Sequence, residues 1–82
     1  PKLLDFIIMN PPFHHLGRAM PSLGVDFIKV ASRNLKKSGT LLMVANRHLP
    51  YEAAIRRHFS SFSELSGSKK FKVMQAENPI NF

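Results

Sequence analysis

The sequence predicts a mixed α/β domain, in which parallel strands connected by a helix are closed by an antiparallel pair of strands. Two continuous apolar runs, residues 3–9 and 40–45, are typical of strands that are buried on both faces of a parallel sheet. The segment between them has the apolar spacing of a helix, which makes a βαβ unit. Two further β-type segments, residues 62–66 and 71–76, are joined by four turn residues and predict a hairpin. The predicted order is β-α-β-α-β-β.

The first strand ends abruptly at Asn10, Pro11 and Pro12. Proline has no backbone N–H, fixes φ at about −65° and favours an extended conformation in the residue before it. Neither a strand ladder nor a helix can continue through this segment, so the chain must turn out of the sheet at Asn10. In an open α/β sheet, ligands bind at the carboxyl ends of the strands. This exit is therefore the first candidate site.

A loop and then the first helix follow this exit. Residues 14–22 contain two breakers and several basic or titratable side chains, which favours a binding loop over a plain linker. A helix is predicted over residues 23–37, because apolar residues recur at helical spacing: Leu23, Phe27, Ile28, Ala31 and Leu35. Ser22 can cap its start, and two lysines followed by a glycine within residues 36–39 suit its end.

The second strand also ends in a polar segment, which begins at Asn46. Pro50 then opens a short second helix, predicted over about residues 51–60. The hairpin strands follow. The tail from residue 78 onwards is predicted to leave the sheet, because Pro79 cannot donate to a strand ladder.

Composition limits the possible functions. With 82 residues, 44% of them hydrophobic, the chain forms one small domain at most. Because it begins at Pro1 and enters a buried-type strand at once, we expect part of a larger domain. It has no cysteine, which excludes a disulfide framework, a thiolate metal site and a cysteine nucleophile. No apolar run approaches the roughly 20 residues of a membrane span, and we expect a soluble, cytoplasmic protein with no membrane partner.

The charge balance points to a polyanionic partner. The chain has 12 lysines and arginines against 5 acidic residues, a net charge of +7. Neutralising phosphates releases condensed counterions, so this excess favours RNA or DNA. The basic residues are spread along the chain, and pairs such as Arg56-Arg57 and Lys69-Lys70 can equally be solvated surface.

The residues at the first strand exit suit a planar ring that carries an amino group. The side-chain oxygen of Asn10 and the backbone carbonyl of Pro11 can accept its two N–H bonds, while Phe13 offers a flat face for stacking. Such an amine is a weak nucleophile because its lone pair is delocalised, and its nitrogen gains positive charge when it attacks a methyl donor. Oxygens already directed at that nitrogen stabilise the transition state more than the ground state.

The segment Asn10 to Phe13 resembles the N-P-P-[FY] signature of class I S-adenosylmethionine-dependent methyltransferases that modify amino groups of bases or of glutamine side chains. The similarity extends along nearly the whole chain, through these segments: His14 and Gly17, the helix end at residues 31–39, V-A-N-x-x-L-P-Y at residues 44–51, and F-K-V-x-x-A at residues 71–76. This series is similar to the C-terminal part of bacterial ribosomal RNA guanine-N2 methyltransferases of the small-subunit methyltransferase C type.

The resemblance implies a fold, a cofactor and a partner. It implies that residues 1–82 are the C-terminal half of a Rossmann-like, seven-stranded methyltransferase fold, strands four to seven, with the last strand antiparallel. It implies S-adenosylmethionine as the cofactor and ribosomal RNA as the partner. The family places its Gly-rich cofactor loop and its acidic ribose-binding residue on the first two strands, which this chain does not contain. We therefore expect the remainder of the domain as a second partner, and an inactive fragment without it.

The resemblance also implies roles for individual residues. Asn10 and Pro11 would be catalytic, because they would hold the guanine amino group, and Asn10 would also contact the cofactor. Phe13 would stack on the flipped base. The substrate-binding set comprises Pro12, Phe13 and His14, together with Asn46 and Tyr51 from the neighbouring strand exit.

Other interpretations stay open. The same chemistry could act on another base or on a protein amide, or the chain could be a non-catalytic, basic RNA-binding module in which Asn-Pro-Pro is only a structural turn. Tyr51 could equally be a packing residue at a helix start. A metal site at His14 and His15 is disfavoured, because adjacent side chains of an extended segment point in opposite directions and no carboxylate is close in sequence.

Overall fold

The computed structural model describes residues 4–10, 14–15, 18–19 and 21–80 of the chain. Four strands form the main sheet, two very short strands form a separate pair, and two helices complete this part. The strands are β1 (Leu4–Met9), β2 (His14–His15), β3 (Arg18–Ala19), β4 (Leu35–Asn46), β5 (Phe59–Gly67) and β6 (Phe71–Pro79). The helices are α1 (Pro21–Asn34) and α2 (Glu52–His58).

The main sheet has the order β1-β4-β6-β5. β1 runs parallel to β4, and β6 lies antiparallel between β4 and β5. The prediction of a mixed sheet with an antiparallel strand beside parallel ones is therefore confirmed. The antiparallel pair of β2 and β3 is an addition to the predicted order, because strands of two residues are too short to produce a periodic pattern in sequence.

One face of the sheet carries the core. Leu41, Met43 and Ala45 occupy alternate positions of β4 and are fully buried, and β6 contributes Met74 and Ala76 to the same cluster. The helices pack over this face with Ile28 and Ala31 of α1 and Ile55 of α2. We call this side the covered face and the opposite side the open face.

β1 differs from the predicted strand buried on both faces. Ile7 and Met9 pack against the core, whereas Phe6 and Ile8 are exposed on the open face, Ile8 by 72%. Within the described part of the chain, β1 pairs only with β4, and both helices pack on the covered face. A continuous apolar run thus predicted the strand correctly but overestimated how much of it these elements cover.

α1 ends at Asn34, before the predicted end at residue 37. The Asn34 side-chain amide donates to the backbone carbonyl one turn earlier, at 2.8 Å, and helps to close the helix. β4 begins at once with Leu35, and its register with β1 shifts before Thr40, so residues 36–39 form an irregular segment. The lysines and glycine that suit a helix end in sequence occupy this irregular start of β4.

β6 continues to Pro79, which corrects the prediction that this tail leaves the sheet. Pro79 lies opposite Phe59 of β5, whereas the pairing of β6 with β4 ends earlier, at Glu77. The missing N–H of the proline therefore costs no ladder bond to β4. Asn78 just before it has a positive φ of 57°, a conformation that asparagine adopts more readily than most residues.

Candidate functional site

Asn10 and Asn46 lie at the same edge of the sheet. Asn10 directly follows β1, and Asn46 is the last residue of the neighbouring parallel strand β4. Because Met9 pairs with Met43, Asn46 lies about two residues further along the ladder than Asn10, which separates their Cα atoms by roughly 8 Å. Asn10 is exposed and Asn46 is half-buried. The two strand exits that the sequence singles out are thus neighbours.

Three predicted site residues, Pro11, Pro12 and Phe13, lie outside the described residues. His14 lies in β2, opposite Ala19 of β3. The catalytic role of Pro11 and the substrate-binding roles of the other three stay predictions.

Tyr51 is fully buried directly before α2. Its ring lies so close to Gly24 of α1 that a Cβ at that position would overlap it. A glycine inside a helix costs about 1 kcal/mol relative to alanine, and here it makes room for the tyrosine. Burial raises the pKa of the Tyr51 hydroxyl. The side chain joins α1 to the segment after β4, and its predicted role in shaping the cleft stays a prediction.

The turn after Asn46 is fastened to β6. The Leu49 N–H donates to the Asn46 carbonyl at 3.1 Å. Lys72 of β6, whose side chain is 3% exposed, donates to the Leu49 carbonyl and to the Glu52 carboxylate, both at 2.7 Å. Burial acts to raise the pKa of the Glu52 carboxyl, but the Lys72 hydrogen bond, a backbone hydrogen bond and the charges of Lys72 and Arg56 together hold it below its usual value. The turn that follows Asn46 is therefore held in place by hydrogen bonds to β6.

Sequence reasoning missed Lys72, although a signal for it exists. Its neighbours at alternate positions of β6, Met74 and Ala76, are buried apolar residues. A lysine in the buried phase of a strand needs a partner, because an unpaired buried charge is costly. The alternation of β6 therefore indicates a bonded lysine at this position.

Arg47 directly follows β4 and joins the strand exit to the β5–β6 turn. Its backbone N–H donates to the Lys70 carbonyl at 2.8 Å. Its guanidinium donates to both carboxylate oxygens of Glu64, at 3.0 and 3.4 Å, and to the Ser68 carbonyl. A Cβ at Gly67 would overlap the guanidinium, so the glycine leaves room for it. Nothing in the sequence pattern predicts this set of contacts, because its members are far apart along the chain.

A cavity of about 410 Å³ opens beside these strand ends. Its described lining consists of Asn46, Arg47, His48, Lys69, Lys70 and Phe71. These residues provide an amide, several basic groups and one aromatic ring, and they include no carboxylate. Because Asn46 belongs to the lining, the cavity adjoins the sheet edge at which Asn10 follows β1.

In the described ranges, no group of three or more His, Cys, Asp or Glu side chains could hold a metal ion. Neither α1 nor α2 is long and apolar enough to cross a membrane.

The chain is similar to known proteins along most of its length. The model of the family described as methyltransferase small domain matches residues 1–75. Ribosomal RNA small subunit methyltransferase C of Shewanella pealeana is 42% identical over 69 residues, which are 84% of this chain and 20% of that protein. Its namesake from Proteus mirabilis is 44% identical over 73 residues, 88% of this chain and 21% of that protein. Ribosomal RNA large subunit methyltransferase G of Pseudoalteromonas atlantica is 34% identical over 73 residues, 89% of this chain and 19% of that protein. The chain thus spans about a fifth of the length of the curated relatives it matches.

The chain is also similar in fold to a solved structure. It is the Thermus thermophilus 16S rRNA N2 G1207 methyltransferase RsmC in complex with AdoMet and guanosine. The two chains share 34% sequence identity with a TM-score of 0.78, and the match covers 90% of this chain and 20% of the other. This similarity confirms the predicted fold, a part of the methyltransferase sheet.

Proposed function

We propose that this chain, which belongs to the methyltransferase small domain family, supplies the substrate-amine site of an enzyme acting on ribosomal RNA. The enzyme would transfer a methyl group from S-adenosylmethionine to the exocyclic N2 amine of a guanine. The observation that carries the proposal is the placement of Asn10 and Asn46 at the ends of two adjacent parallel strands, the edge where ligands bind in such sheets. The names of the relatives support it, since they are ribosomal RNA methyltransferases.

S-adenosylmethionine fits this edge of the sheet in part. The exposed Asn10 amide, at the carboxyl end of a parallel strand, is a polar group suited to contact the cofactor near the reacting amine. The Gly-rich loop and the acidic residue that the family uses to hold the cofactor are not in this chain. When bound, S-adenosylmethionine supplies an electrophilic methyl group.

The residues of this chain would hold and orient the amine. Asn10 would accept one N–H bond of the amino group through its side-chain oxygen, and the Pro11 carbonyl would accept the other. The two oxygens would then face the nitrogen as positive charge develops on it, and stabilise that charge more than they stabilise the neutral amine. No strong base is needed, because the methylated nitrogen is acidic until it loses its proton to water.

Asn10→Ala in the full-length protein is the direct test. Loss of one oxygen that stabilises a transition state should lower turnover roughly 10²- to 10³-fold. The midpoint of thermal unfolding should change little, because Asn10 is exposed. The affinity for the RNA should also change little, because the lost interaction strengthens mainly in the transition state. Asn34→Ala is the matched control: it makes the same truncation at an exposed asparagine, at the end of α1. Methyl transfer is measured with a labelled methyl donor, and the modified base is identified by mass spectrometry of digested RNA.

Unchanged turnover in Asn10→Ala would contradict the proposal. A full-length protein that binds RNA but transfers no methyl group would instead identify a non-catalytic RNA-binding module. Methylation of adenine or of a protein amide, rather than of guanine N2, would retain the chemistry and correct the substrate.

A further inference from the structure

The cavity beside Asn46 lies between the exit of β4 and the β5–β6 turn. Its floor and walls come from two short segments, residues 46–48 and 69–71, which are far apart in sequence. Asn46 and Phe71 are direct partners in the β4–β6 ladder, so their Cβ atoms are about 5 Å apart on the same face. We call Asn46, His48, Lys69, Lys70 and Phe71 the hairpin surface.

The turn that carries the two lysines is held in one conformation. The Ser68 hydroxyl accepts from the backbone N–H groups of Lys70 and Phe71, at 3.1 and 3.2 Å, and the Ser68 N–H donates to the Phe71 carbonyl at 2.8 Å. Arg47 holds the same turn from the side through the Lys70 carbonyl. The backbone is thus ordered before any ligand arrives, which lowers the entropic cost of binding.

The positive charge of the hairpin surface is not neutralised within the described part of the chain. Lys69 and Lys70 are exposed and make no ion pair there, whereas Lys36 pairs with Asp5 at 3.3 Å. The Glu64 carboxylate lies close to Gly67 at this turn, and both of its oxygens are bonded to Arg47. Two lysines therefore project beside the cavity with their charges available.

Phe71 adds an aromatic face next to these charges. Its side chain is 51% exposed, although it stands at the start of a strand whose following residue is buried. Basic groups that follow a phosphate backbone, combined with an aromatic ring on which a base stacks, are the features by which proteins bind single-stranded RNA. Asn46 beside the ring can bond the edge of a stacked base.

We propose that the hairpin surface binds the single-stranded RNA next to the target guanine: Lys69 and Lys70 contact phosphates, and Phe71 stacks a neighbouring base. The proposal rests on the proposed function, because it takes RNA as the substrate. It extends that function by assigning a binding site separate from the amine site at Asn10. Asn46 connects the hairpin surface with the amine site, because it lines the cavity and is the last residue of β4, the strand adjacent to β1.

The test compares full-length variants in binding a short, fluorescently labelled single-stranded RNA with one guanine, by anisotropy over a range of KCl concentrations. Lys69→Gln with Lys70→Gln should weaken binding roughly tenfold and reduce the slope of log K against log salt by about 0.7 per lysine. Phe71→Ala should also weaken binding roughly tenfold, because base–aromatic stacking is lost, but should leave the salt slope unchanged. None of these variants should alter the binding of free guanosine or of S-adenosylmethionine.

Two controls match these changes. Lys37→Gln removes one positive charge, the change made at each of the two hairpin lysines, from an exposed lysine in the irregular segment at the amino end of β4. Leu65→Ala truncates another exposed apolar residue, which is 53% exposed in β5. Both should bind the RNA like the wild type.

The outcomes separate this inference from the proposed function. RNA affinity equal to the wild type in both hairpin variants would overturn the inference, even if the wild type methylates guanine. A wild type that methylates no RNA would overturn the proposed function. Weaker RNA binding by the hairpin variants would, even then, support the inference that the hairpin surface binds single-stranded RNA.

Discussion

Adjacent residues of β4 meet two different environments. Leu41, on the covered face, is fully buried beneath the helices, whereas Leu42 is half-buried on the open face. The open face continues onto β1 with Ile8, which pairs with Leu42 and is 72% exposed. Both faces are apolar, yet the described elements cover only one of them. Burial, and not composition, therefore separates the residues that stabilise this chain from those that it presents outward.

At the edge where the parallel strands β1 and β4 end, the open face carries polar and aromatic residues in place of aliphatic ones. The apolar row gives way to Asn46 and Phe71, paired across β4 and β6, with Lys70 beside them. Candidate function is thus concentrated where the strands end, and stability where they are covered by helices.

The largest effect on stability should be the difference between truncating a residue of the covered face and truncating its neighbour on the open face. Leu41→Ala should lower the free energy of unfolding by about 2–5 kcal/mol, because it opens a cavity in a packed core. Leu42→Ala, the same change one residue away, should cost less than half as much, because its side chain is only half-buried. Urea unfolding of the full-length variants measures both. An equal cost at both positions would break the comparison and would mean that the open face is covered in the full-length protein.

A smaller effect should come from within the covered layer. Gly24→Ala places a Cβ against the Tyr51 ring, so the strain of overpacking should exceed the gain in helix propensity and leave a net loss of about 1–2 kcal/mol. Val25→Ala, at the next and partly exposed position of α1, should cost less. Thermal unfolding compares the two. A Gly24→Ala variant more stable than the wild type would show that the tyrosine can move aside.

The smallest effect on stability should come from the ion pair between Glu52 and Lys72. Because the folded-state pKa of Glu52 is lowered, its contribution to stability is present above its ordinary pKa of 4.5 and is lost as the pH falls through the lower folded value. Glu52→Gln should therefore reduce the acid-side loss of stability, by less than about 1 kcal/mol because solvent screens this partly exposed carboxylate. The control is Glu77→Gln, which removes a carboxylate that Lys72 does not contact. An identical pH profile in Glu52→Gln would contradict the coupling.

Local patterns predicted the elements that depend on local chemistry. The apolar runs indicated β1 and β4, helical spacing indicated α1, and the four turn residues before Phe71 indicated the hairpin, because each signal lies within one segment. The predicted ends of helices and strands were less accurate where the pairing between strands decides them. Residues 36–39 are of the types that end a helix, but they lie in β4. Pro79 remains in β6 because the pairing of β6 with β4 extends only to Glu77, so no hydrogen bond to β4 is lost at the proline.

The candidate site divides in the same way. The strand exits at Asn10 and Asn46 were predicted from the apolar runs before them, and the carboxyl ends of these two parallel strands do meet at one edge. The role of Asn46 in the site was implied by the family resemblance and stays a prediction. Arg47, Glu64 and Lys72 act across long separations in sequence, as in the contacts of Lys72 with Leu49 and Glu52. The alternation of β6 indicates that Lys72 has a partner, but no pattern within a single segment identifies the partner of Lys72 or of Arg47.

The turn between β5 and β6 keeps its shape through backbone bonds to Ser68 and Arg47, while the side chains at positions 69 and 70 form no hydrogen bond or ion pair within the described residues. Substitutions at these two positions should therefore leave folding almost unaffected. Libraries that vary only these two side chains would therefore change the charge beside the cavity while the scaffold stays constant.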